Sequence, residues 1–80
     1  MIVKPLGTES AVTDAAITAA RVVRLVNSHA SNKSTITIAN SAAASLTLLP
    51  NSSEIVEKDI GAAVNATGGT VTGVPVAFNI

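Results

Sequence analysis

His29 is the only imidazole in a chain that has no cysteine, which makes it the side chain best suited to proton transfer near neutral pH. A hydrolytic triad would set His29 beside one of the serines, oriented by Asp14 or Asp59. Such an arrangement needs three side chains held in register, and no nucleophile-elbow motif marks any serine. The surrounding run, Asn27-Ser28-His29-Ala30-Ser31-Asn32, is polar and reads as a solvated loop between two strands. A metal site is no better supported, because one histidine and scattered carboxylates give neither a zinc spacing nor an EF-hand. The glycines of residues 61–73 include Gly68-Gly69 but no Gly-Lys-Ser/Thr entering a helix, so they read as turn residues rather than a phosphate cradle. No catalytic, cofactor-binding or metal-binding residue is assigned, and the chain is expected not to be an enzyme.

The charged residues offer a different kind of chemistry, contact between protein surfaces. Arg21-Val22-Val23-Arg24 and Glu54-Ile55-Val56-Glu57 are two similar runs of opposite sign. Charges three apart on a strand point to opposite faces, so each run places one charge on either side of its sheet. Antiparallel pairing could match Arg21 with Glu57 and Arg24 with Glu54, each pair contributing roughly 0.2 to 1 kcal/mol. The alternatives are that one charge sits at the sheet margin, or that the two runs are unrelated solvated charges.

These residues must be positioned by strands, because from residue 34 onward the pattern has period two. Ile36 and Ile38 alternate with Thr35 and Thr37 in residues 34–39, and Leu46 and Leu48 share one face of residues 45–49. Pro50-Asn51-Ser52 supplies turn chemistry, and residues 53–58 return. Asp59-Ile60-Gly61 breaks that strand. A short segment at 62–66 then leads to Thr67-Gly68-Gly69, whose glycines tolerate the positive φ of a tight hairpin. The last strand, 70–79, alternates Val74, Val76 and Phe78 with Gly73, Pro75 and Ala77. Pro75 cannot donate to a ladder, which places this strand at an edge or at a bulge. Residues 19–27 are expected to form a strand as well, although residues 10–26 also carry a helical stripe. Residues 11–18 could be strand, loop or a single helical turn.

Together these elements predict an all-β fold: one domain spanning 1–80, a small antiparallel β-sandwich or jelly-roll-like barrel of about 6–8 short strands, with 1–10 as an N-terminal arm. Its core must be thin, because Phe78 is the only aromatic among eighty residues. Apolar burial in so short a chain barely offsets ordering entropy. With no disulfide available, association with other copies or with a larger surface is the expected source of further stability. Five basic residues balance five acidic ones, which gives no electrostatic footprint for nucleic acid. The stretch 15–26 is too short and too charged to span a bilayer, and the first residues do not resemble a secretory signal. Neither nucleic acid nor membrane is expected as a partner.

One sequence resemblance sharpens this. The run Arg21-Val22-Val23-Arg24-Leu25-Val26-Asn27 is followed by Thr35-Ile36-Thr37-Ile38, by a hairpin from Leu46 through Pro50 to Lys58, and by Thr67-Gly68-Gly69 with Val74-Pro75-Val76-Ala77-Phe78. It resembles short structural proteins of tailed bacteriophages, notably those of marine and cyanobacterial hosts, over residues 20–80. The resemblance implies a compact β-sandwich of the virion that decorates the capsid and contacts the major capsid protein, or alternatively sits at the neck or tail. A host-surface or carbohydrate-binding module is a further alternative, disfavoured by the absence of tryptophan and tyrosine. On this reading the protein is a homo-oligomer or lattice-bound subunit. Its expected contact residues are Ile2, Val3 and Leu6 of the arm, the charges Arg21, Arg24, Glu54 and Glu57, and Val74, Val76 and Phe78 of the last strand.

Overall fold

The computed structural model describes residues 2–79, and the side chains of residues 3–77. Strands β1 (Ile2–Pro5), β2 (Ser10–Ala11), β3 (Val22–Asn27), β6 (Ser52–Glu57) and β8 (Val71–Asn79) form one antiparallel sheet in the order β1-β8-β3-β6, with β2 also on β8. Strands β4 (Ser34–Ile38), β5 (Ala44–Leu48) and β7 (Val64–Thr67) form the other, in the order β5-β4-β7. The fold is the expected small all-β sandwich.

The alternation that identifies the strands also builds the core. Val23 and Leu25 of β3 turn inward to meet Ile36 and Ile38 of β4, Leu48 of β5 and Val64 of β7. The outward residues of the second sheet, Thr35, Thr37, Ser45, Thr47, Asn65 and Thr67, are all exposed, which gives that face a layer of hydroxyls.

The first third resolves into a single helical turn followed by a strand. Helix α1 (Ala15–Ala19) starts at Asp14, whose Oδ1 accepts from the Ala16 N–H at 2.9 Å and so satisfies one of the free donors at the helix start. Its single apolar anchor, Ile17, is fully buried. Ile17 and Leu25 press so closely on Gly73 that a Cβ there would lie 3.2 Å from Ile17 Cδ1 and 3.1 Å from Leu25 Cδ2. Gly73 therefore provides the space in which the helix docks.

Two expectations about the ends of the chain need correction. The N-terminal segment is not a free arm: β1 is laddered along β8 from Ile2↔Asn79 to Pro5↔Val76, and β2 continues on the same strand at Ser10↔Gly73. Met1, and the side chains of Ile2 and Phe78 proposed as contacts, lie outside the described residues. The last strand is central rather than at an edge. Pro75 is accommodated because its carbonyl accepts from the Leu6 N–H at 2.8 Å. Carbonyl and N–H of one strand residue point to the same side, so the missing donor faces the gap between β1 and β2, where residues 6–9 bulge out of the ladder.

Candidate functional site

The outward face of the first sheet is apolar. Antiparallel partners share a face, so Pro5 lies beside Val76, and Arg24 lies between Val74 on one side and Ile55 on the other. Val3, Pro5, Arg24, Ile55, Val74 and Val76 line an open depression of about 290 Å³ on this face. Val74 and Val76 are only 4% and 5% exposed although they point away from the main core, while Val3 and Ile55 at the margins are 36% and 41% exposed. The central strand β8 is thus apolar on both sides, a pattern that a single sheet face turned to water does not require.

Arg24 sits in this apolar setting with its charge compensated. Its Nη1 donates to Glu9 Oε1 at 3.0 Å, and the other carboxylate oxygen of Glu9 accepts from the Thr72 hydroxyl at 3.5 Å. Glu9 comes from the bulge between β1 and β2 and reaches across β8. The sequence reading did not single it out, and no local pattern marks it: the partners are fifteen residues apart and meet only because β8 runs between them.

The expected charge pairing is half realised. Arg21 Nε lies 3.7 Å from Glu57 Oε2, with both side chains largely exposed at the sheet margin. Arg24 does not meet Glu54. The register is Val22↔Glu57 and Arg24↔Ile55, one residue away from the anticipated match, so Glu54 stands opposite Leu25. The slip turns the other face of β6 toward the core side: Val56 stands beside Val23 and Glu54 beside Leu25, where the charge-matched register would set Ile55 and Ser53. Among the described residues Glu54 forms no ion pair.

Of the sequence-derived contact residues, Val3, Arg24, Val74 and Val76 come together on this one face; Pro5 and Ile55 are additions. Leu6 is exposed beside the bulge, and Arg21, Glu54 and Glu57 lie at the sheet margin.

The candidates for proton chemistry, His29, Asp14 and Asp59, each hold a backbone turn or cap. His29 Nδ1 accepts from the backbone N–H groups of Ser31 at 3.1 Å and Asn32 at 2.9 Å, organising its own loop. Asp14 caps α1, and Asp59 Oδ2 accepts from the Ser41 N–H at 2.7 Å. Asn27, fully buried at the end of β3, uses its whole amide. Oδ1 accepts from the N–H groups of His29 and Thr70, both at 3.1 Å, and Nδ2 donates to the carbonyls of Asn32 at 2.9 Å and Leu48 at 3.2 Å. Gly69, at φ 67, approaches so closely that a Cβ would lie 2.8 Å from Asn27 Oδ1.

Among the described residues Lys58 is the one buried charge, 3% exposed, its Nζ donating to the Thr18 carbonyl at 2.8 Å and the Asp59 carbonyl at 3.3 Å. Burial lowers its pKa below the ordinary lysine value, and the neighbouring Asp59 carboxylate acts in the opposite sense. Its role is to close the corner between α1 and the end of β6.

The chain matches no known protein family, no curated protein and no solved structure. Among the described residues no helix is long and apolar enough to cross a membrane, and no three metal-ligating side chains converge. The outward face of the first sheet, with its apolar depression, is the candidate site on its own geometry.

Proposed function

We propose that this protein is a non-enzymatic structural subunit that docks on a protein shell through the outward face of its first sheet, in its most specific form a decoration protein on a tailed-phage head. The observation that carries the reading is the apolar outward side of β8. Val74 and Val76 are already nearly dry within one chain, and Val3 and Ile55 frame them with exposed aliphatic surface. Covering such a patch removes apolar area from water at about 25 cal/mol per Å². It needs no charged partner group, because Glu9 already compensates Arg24.

Binding to the assembled shell but not to its unfolded or dissociated subunits stabilises the shell by mass action. The decoration role itself rests on the sequence resemblance, and the contact face on the geometry. Quantitative mass spectrometry of purified phage particles encoding this chain tests the role. A copy number in simple ratio to the major capsid protein is the expected result. A dozen or so copies would move the protein to the neck or tail, and absence from particles would overturn the reading. Ile55→Lys, which places a charge on the docking face at an exposed position, should abolish attachment while leaving the folded chain intact.

A further inference from the structure

The two sheets expose four edges, and three of them carry features that discourage pairing with another strand. Edge strand β1 holds Lys4 and Pro5, β6 holds Glu54 and Glu57, and β7 is short and runs into Gly68 and Gly69, both at positive φ. Charges, proline and short length are the usual protections of a sheet edge. Strand β5, five residues long, has neither charge nor proline. Residues 41–49 contain neither a charge nor a proline, β5 is laddered only to β4, and among the described residues no other backbone hydrogen bond engages its strand residues.

We infer that β5 is a pairing edge for a second copy of this chain, joined antiparallel about a two-fold axis at Leu46. The self-complementarity of the segment selects this partner. In that register Ser45 faces Thr47 of the other copy, Ala44 faces Leu48, and Ala43 faces Leu49, so no like charges meet. Leu49 is 61% exposed and unexplained by the fold of one chain. Ala43 and Ala44 help line an open depression of about 370 Å³, together with Thr37, Ala39, Ser45 and Asn65. Ala43, Ser45, Thr47 and Leu49 alternate onto the same outward face, so the pairing brings the Leu49 side chain of each copy to the depression of the other. The two three-stranded sheets become one continuous six-stranded sheet, and both free β5 edges disappear.

This association uses the second sheet, and docking on a shell uses the first, so the two fail separately: one is read from the mass of the purified protein, the other from its presence on particles. The test is light scattering coupled to size-exclusion chromatography across a concentration series, with Thr47→Lys and Leu49→Ser as variants and Thr35→Lys, on the same face but on the central strand, as control. Thr47, Leu49 and Thr35 are all exposed, and thermal melts followed by circular dichroism check that each variant stays folded. The expected result is a mass rising to twice the 8.0 kDa of one chain for the unaltered protein and for Thr35→Lys, with Thr47→Lys and Leu49→Ser remaining near the single-chain mass. A single-chain mass for the unaltered protein at every soluble concentration overturns the inference, as does an assembly whose mass neither Thr47→Lys nor Leu49→Ser reduces.

Discussion

Replacing Asn27 by leucine removes four hydrogen bonds at one fully buried point while keeping the number and branching of the side-chain heavy atoms. The four partners do not weigh equally. The carbonyls of Asn32 and Leu48 each retain a second lone pair, whereas the His29 and Thr70 N–H groups have one proton apiece and lose their acceptor. A buried donor left unpaired costs about 1–3 kcal/mol, so the two together cost about 3 kcal/mol after allowing for partial access of water at the loop. For a chain of this length total stability is on the order of 4–12 kcal/mol. A loss of about 3 kcal/mol lowers the melting temperature by roughly 12–24 °C, at 4–8 °C per kcal/mol. The assay is urea unfolding followed by far-ultraviolet circular dichroism, with the midpoint shifted and the slope unchanged. Hydrogen exchange should accelerate first at the His29 and Thr70 amides. Asn27→Asp should also be destabilised, because it turns two donors into lone pairs aimed at the Asn32 and Leu48 carbonyls. A cost below about 1 kcal/mol for Asn27→Leu would refute the assignment of Asn27 as the tie between the 28–33 loop, the end of β5 and the 68–70 turn.

Three further outcomes follow from individual contacts. Gly73→Ala forces a methyl to within 3.1 Å of Leu25 and 3.2 Å of Ile17, and should cost roughly 1–3 kcal/mol, read as a lower melting temperature; unchanged stability would mean that α1 moves freely on β8. The folded-state pKa of Lys58 lies below its unfolded value, so the unfolded chain holds its proton to higher pH, and stability should rise as pH climbs through the window below about 10.4. Lys58→Met should flatten that rise, and can do so without orphaning the Thr18 carbonyl, which also accepts from the Gly61 N–H at 2.9 Å. A double-mutant cycle between Glu9 and Arg24 should show a salt-sensitive coupling below about 1 kcal/mol, as suits side chains 47% and 40% exposed, and the cycle between Glu54 and Arg24 should show none; the reverse pattern would contradict the observed register.

What was legible in the sequence was local. A period of two is a property of a strand before it finds a partner, and it correctly placed Ile36 and Ile38 on one face and Thr35 and Thr37 on the other. The same alternation marked Val74 and Val76 as a pair on β8. Proline, asparagine and glycine marked the reversals at 50–52 and 67–69 because their φ preferences act within one residue.

The tertiary structure decided everything that depends on which distant residue stands opposite. The register of β3 on β6 differs by one position from the charge-matched alternative, and the ion pair it gives up, Arg24 with Glu54, would have been worth little at an exposed margin. The same docking placed β8 in the middle of its sheet, turned the N-terminal segment into a strand, and brought Glu9 to Arg24. In sequence Asn27 reads only as the entrance to a polar loop and Lys58 as the end of a strand. They are buried because the ends of several strands converge on them, a convergence that no window of neighbouring residues contains.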